Sequence, residues 1–359
     1  MVSKIEIHYS VVNDFIISIS RIISDASINS FISKYDQDLA DKVKLDEKIS
    51  KWVKSIKKEI DKDKLDLMDY FGNRETMFRL VLLHMNCANR FKAVDEFMNF
   101  LKSYDSSELI TKYFELIFKI FDIKNDGIKE LSDSSFLKII NETNFPSNRK
   151  WELLQIYNNP EETKQNLLLL LNWYYKNHFK KVEKKITKVG EKYVNVVNQK
   201  IKNYGNEYIE LLTGTDYSKD KNLKTKVVLS ISYYLELLSL YLERMDIDED
   251  IYFLGFRYDE VFVERKHRVM SNVHLFKALS DETRQNMIRL LSKRDYYADE
   301  FAKEINIANS TVSYHLSILF LEGIIKTTKI DKKTYFSLRK KKLKKSIEKA
   351  TNNMLEISE

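Results

Sequence analysis

Ser310-Thr311-Val312-Ser313-Tyr314-His315-Leu316 runs on to Leu321-Glu322-Gly323-Ile324-Ile325 and then to a lysine-rich stretch from Lys326 to Leu338. Val312, Leu316 and Leu319 fall at spacings of four and three, which predicts a helix over 310–320 with one stripe toward a core. Ser310, Thr311, Ser313, Tyr314 and Ser317 then point outward, where short hydroxyls can reach phosphates and base edges. Gly323 is a left-handed helix stop, and a strand opens behind it. Ile325–Ile330 and Thr334–Leu338 are expected to pair as a hairpin around Asp331-Lys332-Lys333. Upstream, Ala298, Phe301, Ala302 and Ile305 give a shorter amphipathic helix, joined to the first by Ile307-Ala308-Asn309. Helix, turn, helix and basic hairpin in this order predict a winged helix-turn-helix, whose second helix enters the major groove of a duplex.

Just upstream stands Leu275-Phe276-Lys277-Ala278-Leu279-Ser280-Asp281-Glu282-Thr283-Arg284. With 310–316 and the hairpin, this stretch closely resembles the ArsR family of bacterial transcriptional regulators, over residues 265–350. In that resemblance 281–284 takes the place of the family's Asp-Pro-Thr-Arg turn. Glu282 replaces the proline, so greater helical continuity is expected, with Leu275 to Leu291 on one helix after a shorter one over 261–272. Thr283 and Arg284 are read as fixing the turn between helices, not as base readers. Ala308 stands where the family usually has serine, so Asn309 is expected to cap. Ser317 stands where a basic residue is common, and His315 is read as packing and hydrogen bonding. The resemblance implies DNA contacts from Asn309, Ser310, Thr311, Ser313, Tyr314 and Ser317. It adds phosphate contacts from the wing through Lys326, Lys329, Lys332 and Lys333. It also implies a homodimer through the first and last helices of the module. Leu343, Ile347, Ala350 and Met354 form a stripe on the last helix, about 340–355, suited to that use. The family's cysteine metal site would fall at Tyr297-Ala298-Asp299, which has no thiol. Its Asp/His site would fall in 339–355, which has neither residue. No metal is therefore expected.

Charge agrees with a polyanion partner. The chain of 359 residues carries a net +7, and from Arg265 to Ala350 twenty Lys/Arg face nine Asp/Glu, a local +11 that leaves −4 for the rest. Seven Gly and two Pro predict a mainly helical chain. No glycine-rich phosphate loop occurs, nor H-E-x-x-H or G-x-S-x-G, so neither an enzyme nor a cofactor is expected. The single Cys87 excludes an internal disulfide and fits a reducing cytoplasm. No secretory signal or membrane span is expected.

Residues 1–260 carry no comparable motif. Val12, Phe15, Ile19 and Ile22, then Ile49, Trp52, Val53, Ile56 and Ile60, recur at helical spacing from the start of the chain. From Tyr175 to Val196 and on to Leu211 a long seam predicts one amphipathic helix. It is either a signal-transmitting rod or the spine of its own domain, the second favoured; Gly190 and Gly205 weaken any rigid rod. Residues 227–232 and 251–256 could pair as two strands around Tyr233–Asp250, which reads as helix. His84 and Cys87 sit three apart on one apparent helix and read as core, as do Trp173, Tyr174, Tyr175 and Phe179. The expectation is a helical domain over 1–260, for assembly or for binding a small-molecule effector of unknown identity, and an ArsR-like module over 261–359. The function expected is a homodimeric, sequence-specific DNA-binding regulator, a repressor. The alternative is a winged-helix adaptor that binds protein and not a DNA sequence.

Overall fold

The computed structural model describes residues 5–35, 44–72, 77–87, 90–120, 123, 133–143, 145–217, 226–244, 249–260, 272–330 and 333–355. The first described element is a strand, β1 (Ile5–Tyr9), ahead of the helical periodicity that begins at Val12. Then come α1 (Val11–Tyr35), α2 (Glu47–Glu59), α3 (Lys62–Gly72), α4 (Phe78–Met85), α5 (Val94–Ser103), α6 (Ser106–Ile120), α7 (Asp133–Glu142), α8 (Ser147–Asn158) and α9 (Pro160–Tyr174). Pro146 precedes the first residue of α8 and Pro160 is the first of α9, positions where a missing N–H costs nothing. These helices share one core, with Phe15, Phe78, Phe97, Tyr113, Phe114 and Tyr174 fully buried. Tyr174, Tyr175 and Phe179 belong to it and ring Phe15 at 5.2–5.7 Å. Cys87 is buried just beyond the end of α4, so His84 and Cys87 do not share one helix.

A single π turn at Tyr175–Phe179 joins α9 to α10 (Lys180–Tyr204). The expected seam to Leu211 is broken: Gly205, at φ +58°, starts a separate helix, α11 (Asn206–Thr213). Gly190 serves close packing, since a Cβ there would lie 2.0 Å from the Tyr9 ring, and only glycine lets α10 lie this close on β1.

Beyond β2 (Thr215–Asp216) lie β3 (Lys226–Ser232), β4 (Ser239–Arg244) and β5 (Glu249–Gly255). The sheet order is β1-β3-β5-β4, parallel except for β4. The two strands read from sequence are thus parallel neighbours, and where a helix is expected over Tyr233–Asp250 the described residues form a turn, then β4 and the start of β5. The alternation of buried Leu242 with exposed Tyr241 carries β4, and Glu236 at φ +53° turns the chain before it. Glu236 is fully buried between Arg21 and Arg257, each 3.0 Å away. Asp14, also fully buried, accepts hydrogen bonds from the Ser232 hydroxyl and from the Tyr233 amide at 2.9 Å. Burial pushes its carboxyl up to about 6.

The last segment has a core of its own, with Leu275, Met287, Phe301, Val312, Leu316, Leu319 and Ile325 buried. It comprises α12 (Asn272–Leu279), α13 (Glu282–Leu291), β6 (Tyr296–Tyr297), α14 (Ala298–Ile305), α15 (Asn309–Leu321), β7 (Ile325–Ile330), β8 (Lys333–Leu338) and α16 (Lys340–Met354). The helix expected over 261–272 lies almost wholly outside the described residues. Leu275 to Leu291 is not one helix. Asp281, extended at φ −90°, ψ 128°, caps α13 by accepting from the Arg284 amide, and this breaks the continuity expected from the missing proline. A second sheet, β2-β7-β8-β6, holds the wing.

Candidate nucleic-acid interface

The interface is built from the turn at Asp281 outward. Arg284 is buried, and its guanidinium donates to the Ala278 carbonyl at 2.7 Å and the Lys277 carbonyl at 2.8 Å. Those two carbonyls belong to the last turn of α12, where a cation also meets the negative end of the helix dipole. Arg284 thereby fixes the angle between α12 and α13. His315 is buried at the same place, its Nδ1 3.4 Å from Asp281.

Asn306, left-handed at φ 57°, ends α14, and Ile307 and Ala308 form the turn into α15. Ala308 takes the cap position of α15 with no side chain to offer, and Asn309 does not cap in its place. It is the first helical residue, and its amide donates to Asp299 of α14 at 3.2 Å, tying the two helices together. Val312, Leu316 and Leu319 are at most 2% exposed, so this face of α15 is consumed by the core. Thr311, Ser313 and Tyr314 stand exposed on the opposite face, in the N-terminal half of the helix. Tyr314 retains 45% of its accessibility. Ser317 is half-buried, and its hydroxyl donates back to the Tyr314 carbonyl at 2.7 Å, leaving only lone pairs for a ligand. The Ser310 side chain lies outside the described residues.

The wing pairs from Ile325↔Leu338 to Ile330↔Lys333, so β8 starts one residue earlier than expected. β6 adds to β8 through Tyr296↔Phe336. Lys333 is exposed, its ammonium 4.5 Å from the centre of the Tyr297 ring. Lys326 is half-buried; Lys332 and the Lys329 side chain lie outside the described residues. At the start of α16, Lys340, Lys341, Lys342, Lys344 and Lys345 are all exposed. They extend the positive surface beyond the wing and lie outside the set of DNA contacts that the family resemblance implies. On the same helix, Leu343 packs on the module's core and Ala350 is 2% exposed, whereas Ile347 and Met354 are 37% and 64% exposed. Phe276 on α12, which packs against α16, is 38% exposed. Among the described residues no three His, Cys, Asp or Glu side chains converge to hold a metal, and no helix is long and apolar enough to cross a membrane.

A helix whose inner face is wholly buried and whose outer face carries free hydroxyls, beside a basic hairpin, defines a DNA-binding transcriptional regulator of the winged helix-turn-helix class. Residues 281–327 match the family model for bacterial regulatory proteins of the arsR family. The chain is 37% identical over 78 residues to the transcriptional repressor SdpR of Bacillus subtilis (strain 168), covering 22% of this chain and 84% of that protein. It is 34% identical over 94 residues to a cadmium resistance transcriptional regulatory protein CadC homolog of Staphylococcus aureus, covering 26% of this chain and 78% of the relative. An uncharacterized HTH-type transcriptional regulator, YceK of Bacillus subtilis, is 40% identical over 67 residues, 18% of this chain and 67% of its own length. The chain belongs to the ArsR family. Comparison with solved structures gives no significant match.

Proposed function

We propose that the chain acts as a homodimeric, sequence-specific repressor that binds duplex DNA in the cytoplasm. In this reading residues 261–359 dock on DNA and dimerise, and residues 1–260 form a separate domain for assembly or effector binding. The observation that carries the reading is the open hydroxyl face at Thr311, Ser313 and Tyr314, backed by the fully buried Val312–Leu316–Leu319 stripe. Direct base contact falls to these residues, and phosphate contact to Lys326, Lys329, Lys332 and Lys333. Asn309 and Ser317, already engaged within the protein, contribute as secondary contacts, with Ser310 completing the helix start. The sign of regulation follows the relative named as a repressor.

Dimerisation is assigned to exposed Ile347 and Met354 on α16 with Phe276 on α12. Leu343 and Ala350 support that face from within. A two-fold dimer would read a palindromic operator with half-sites about one helical turn apart. A relative is named for cadmium resistance, but this chain lacks the ligands at the two metal positions its family resemblance implies, so metal sensing there is not part of the proposal.

The test is a footprint of the purified full chain across its own genome, repeated in a variant with Thr311, Ser313 and Tyr314 changed to alanine. Discrete palindromic sites that vanish in the variant are the expected result. Retained capture of a protein partner with no sequence-selective footprint would select the adaptor reading instead.

A further inference from the structure

A wing made of two strands leaves its outer edge bare, and a lone hairpin is marginal in water. Here that edge is covered from more than a hundred residues upstream. β2 lies parallel to β7, with Thr215 opposite Thr327 and Asp216 opposite Thr328. The Thr327 hydroxyl donates to the Gly214 carbonyl at 2.6 Å and lies 3.1 Å from the Thr215 hydroxyl. Thr215, Thr327 and Thr328 are all buried. Where β8 ends, Arg339 pairs with Glu210 of α11 at 2.7 Å. Gly214, at φ +74°, lies against the end of the recognition helix α15: a Cβ there would be 2.3 Å from the Phe320 ring. Residues 210–216 therefore touch the recognition helix, the first strand of the wing and the residue that follows its second strand.

The same segment is anchored behind. Tyr217, buried, donates to Asp250 of β5 at 2.9 Å and lies 2.9 Å from the Tyr252 hydroxyl, while Tyr241 of β4 donates to the other Asp250 oxygen at 2.8 Å. Tyr208, Ile209 and Leu212 of α11 are buried in one cluster with Val227, Leu229, Ile231, Tyr252 and Leu254, so the segment is held firmly to the N-terminal sheet and meets the wing through a two-residue strand. So short a ladder has few backbone hydrogen bonds to lose, which suits an element that can open locally. Thr311, Ser313 and Tyr314 are exposed while this contact is closed, so the closed form leaves that face open to DNA.

We propose that Glu210–Asp216 is the positioning element of the wing. Through this strand the N-terminal part sets the tilt of β7–β8 against α15, and withdrawing it weakens DNA binding. The inference rests on the wing being a DNA contact. None of these residues touches DNA itself.

The full-length chain is tested with two variants. Gly214→Val strains the backbone and strikes Phe320; Glu210→Ala with Thr327→Val removes the ion pair and the bridging hydroxyl while keeping side-chain shape at 327. Hydrogen exchange at the Thr327 amide, which faces β2, is measured with operator affinity and with ethylation interference at the phosphates flanking the site; the Thr328 amide, which faces β8, is the internal control. The expected result is at least tenfold faster exchange at Thr327 with Thr328, Val312 and Leu316 unchanged. Operator affinity falls at least tenfold, and interference is lost at the flanking phosphates alone. A Thr215→Cys/Thr327→Cys pair with Glu210→Ala, in a Cys87→Ser background, is expected to show the lowered affinity when reduced and wild-type affinity when oxidised. A released Thr327 amide with unchanged affinity and unchanged interference would overturn the proposal, as would a wild-type Thr327 amide already exchanging like that of an open hairpin. Should the wild type bind no duplex at all, the reading of the interface fails and takes this inference with it. That outcome is recognisable because the exchange pattern would be intact.

Discussion

Truncating Tyr314 with Lys333 separates base reading from phosphate neutralisation. Tyr314 keeps 45% of its surface, and its ring touches that of His315 edge-on at 5.3 Å. Removing it creates no cavity in the core, so Tyr314→Ala is expected to change folding stability by no more than about 0.5 kcal/mol. At a base edge or adjacent phosphate, one such contact contributes about 1–3 kcal/mol. A two-fold dimer loses it twice, about 2–6 kcal/mol, or roughly thirtyfold to more than ten-thousandfold in operator affinity at about 1.4 kcal/mol per tenfold. Lys333→Ala removes one exposed ammonium per protomer, so the dependence of log affinity on log salt should flatten by about 0.9 for each, nearly 2 for the dimer. Fluorescence anisotropy against operator and scrambled duplexes, over a salt series, reads both effects. Tyr314→Ala should erode discrimination between the duplexes, and Lys333→Ala should weaken both alike. A double variant with unaltered operator affinity and an unaltered salt slope would refute this docking mode.

On α16, Ile347→Glu with Met354→Glu should yield a folded monomer by sedimentation, because both side chains are exposed; a surviving dimer would move the interface elsewhere. Ala350→Glu, buried at 2%, should instead unfold the module, seen as loss of its cooperative melt. Arg284→Ala abandons two helix-end carbonyls and should cost about 2–3 kcal/mol in denaturant melts, with Arg284→Lys a poor rescue because one ammonium cannot reproduce the fork. Asp14 is held near 6 when folded by burial, so its protonated form stabilises the fold below its ordinary value near 3.8, and that contribution is lost as pH rises through about 6. Asp14→Asn should therefore gain on the wild type by up to about 3 kcal/mol between pH 4 and 7; a stability difference that stays constant with pH would show that Asp14 does not titrate there.

The DNA-binding module was legible in the sequence because its signals are local. The four-and-three spacing of Val312, Leu316 and Leu319, the stop at Gly323 and the basic hairpin each declare themselves within a few residues. The turn at Asp281 is local too: the missing proline argues for a continuous helix, but the capping carboxylate beside it breaks the helix on its own. Asn309 shows the limit of reading one helix at a time, since its amide partner, Asp299, belongs to the neighbouring helix. The strands of the N-terminal part were harder still. β1 has only five residues, and its partner β3 lies more than two hundred positions away. Helix periodicity is written along the chain, whereas a short strand is stabilised by whatever lies beside it. That is why composition and spacing were enough for a helical protein with a winged end, while only the tertiary arrangement showed a two-residue strand, without any period of its own, closing the edge of the wing.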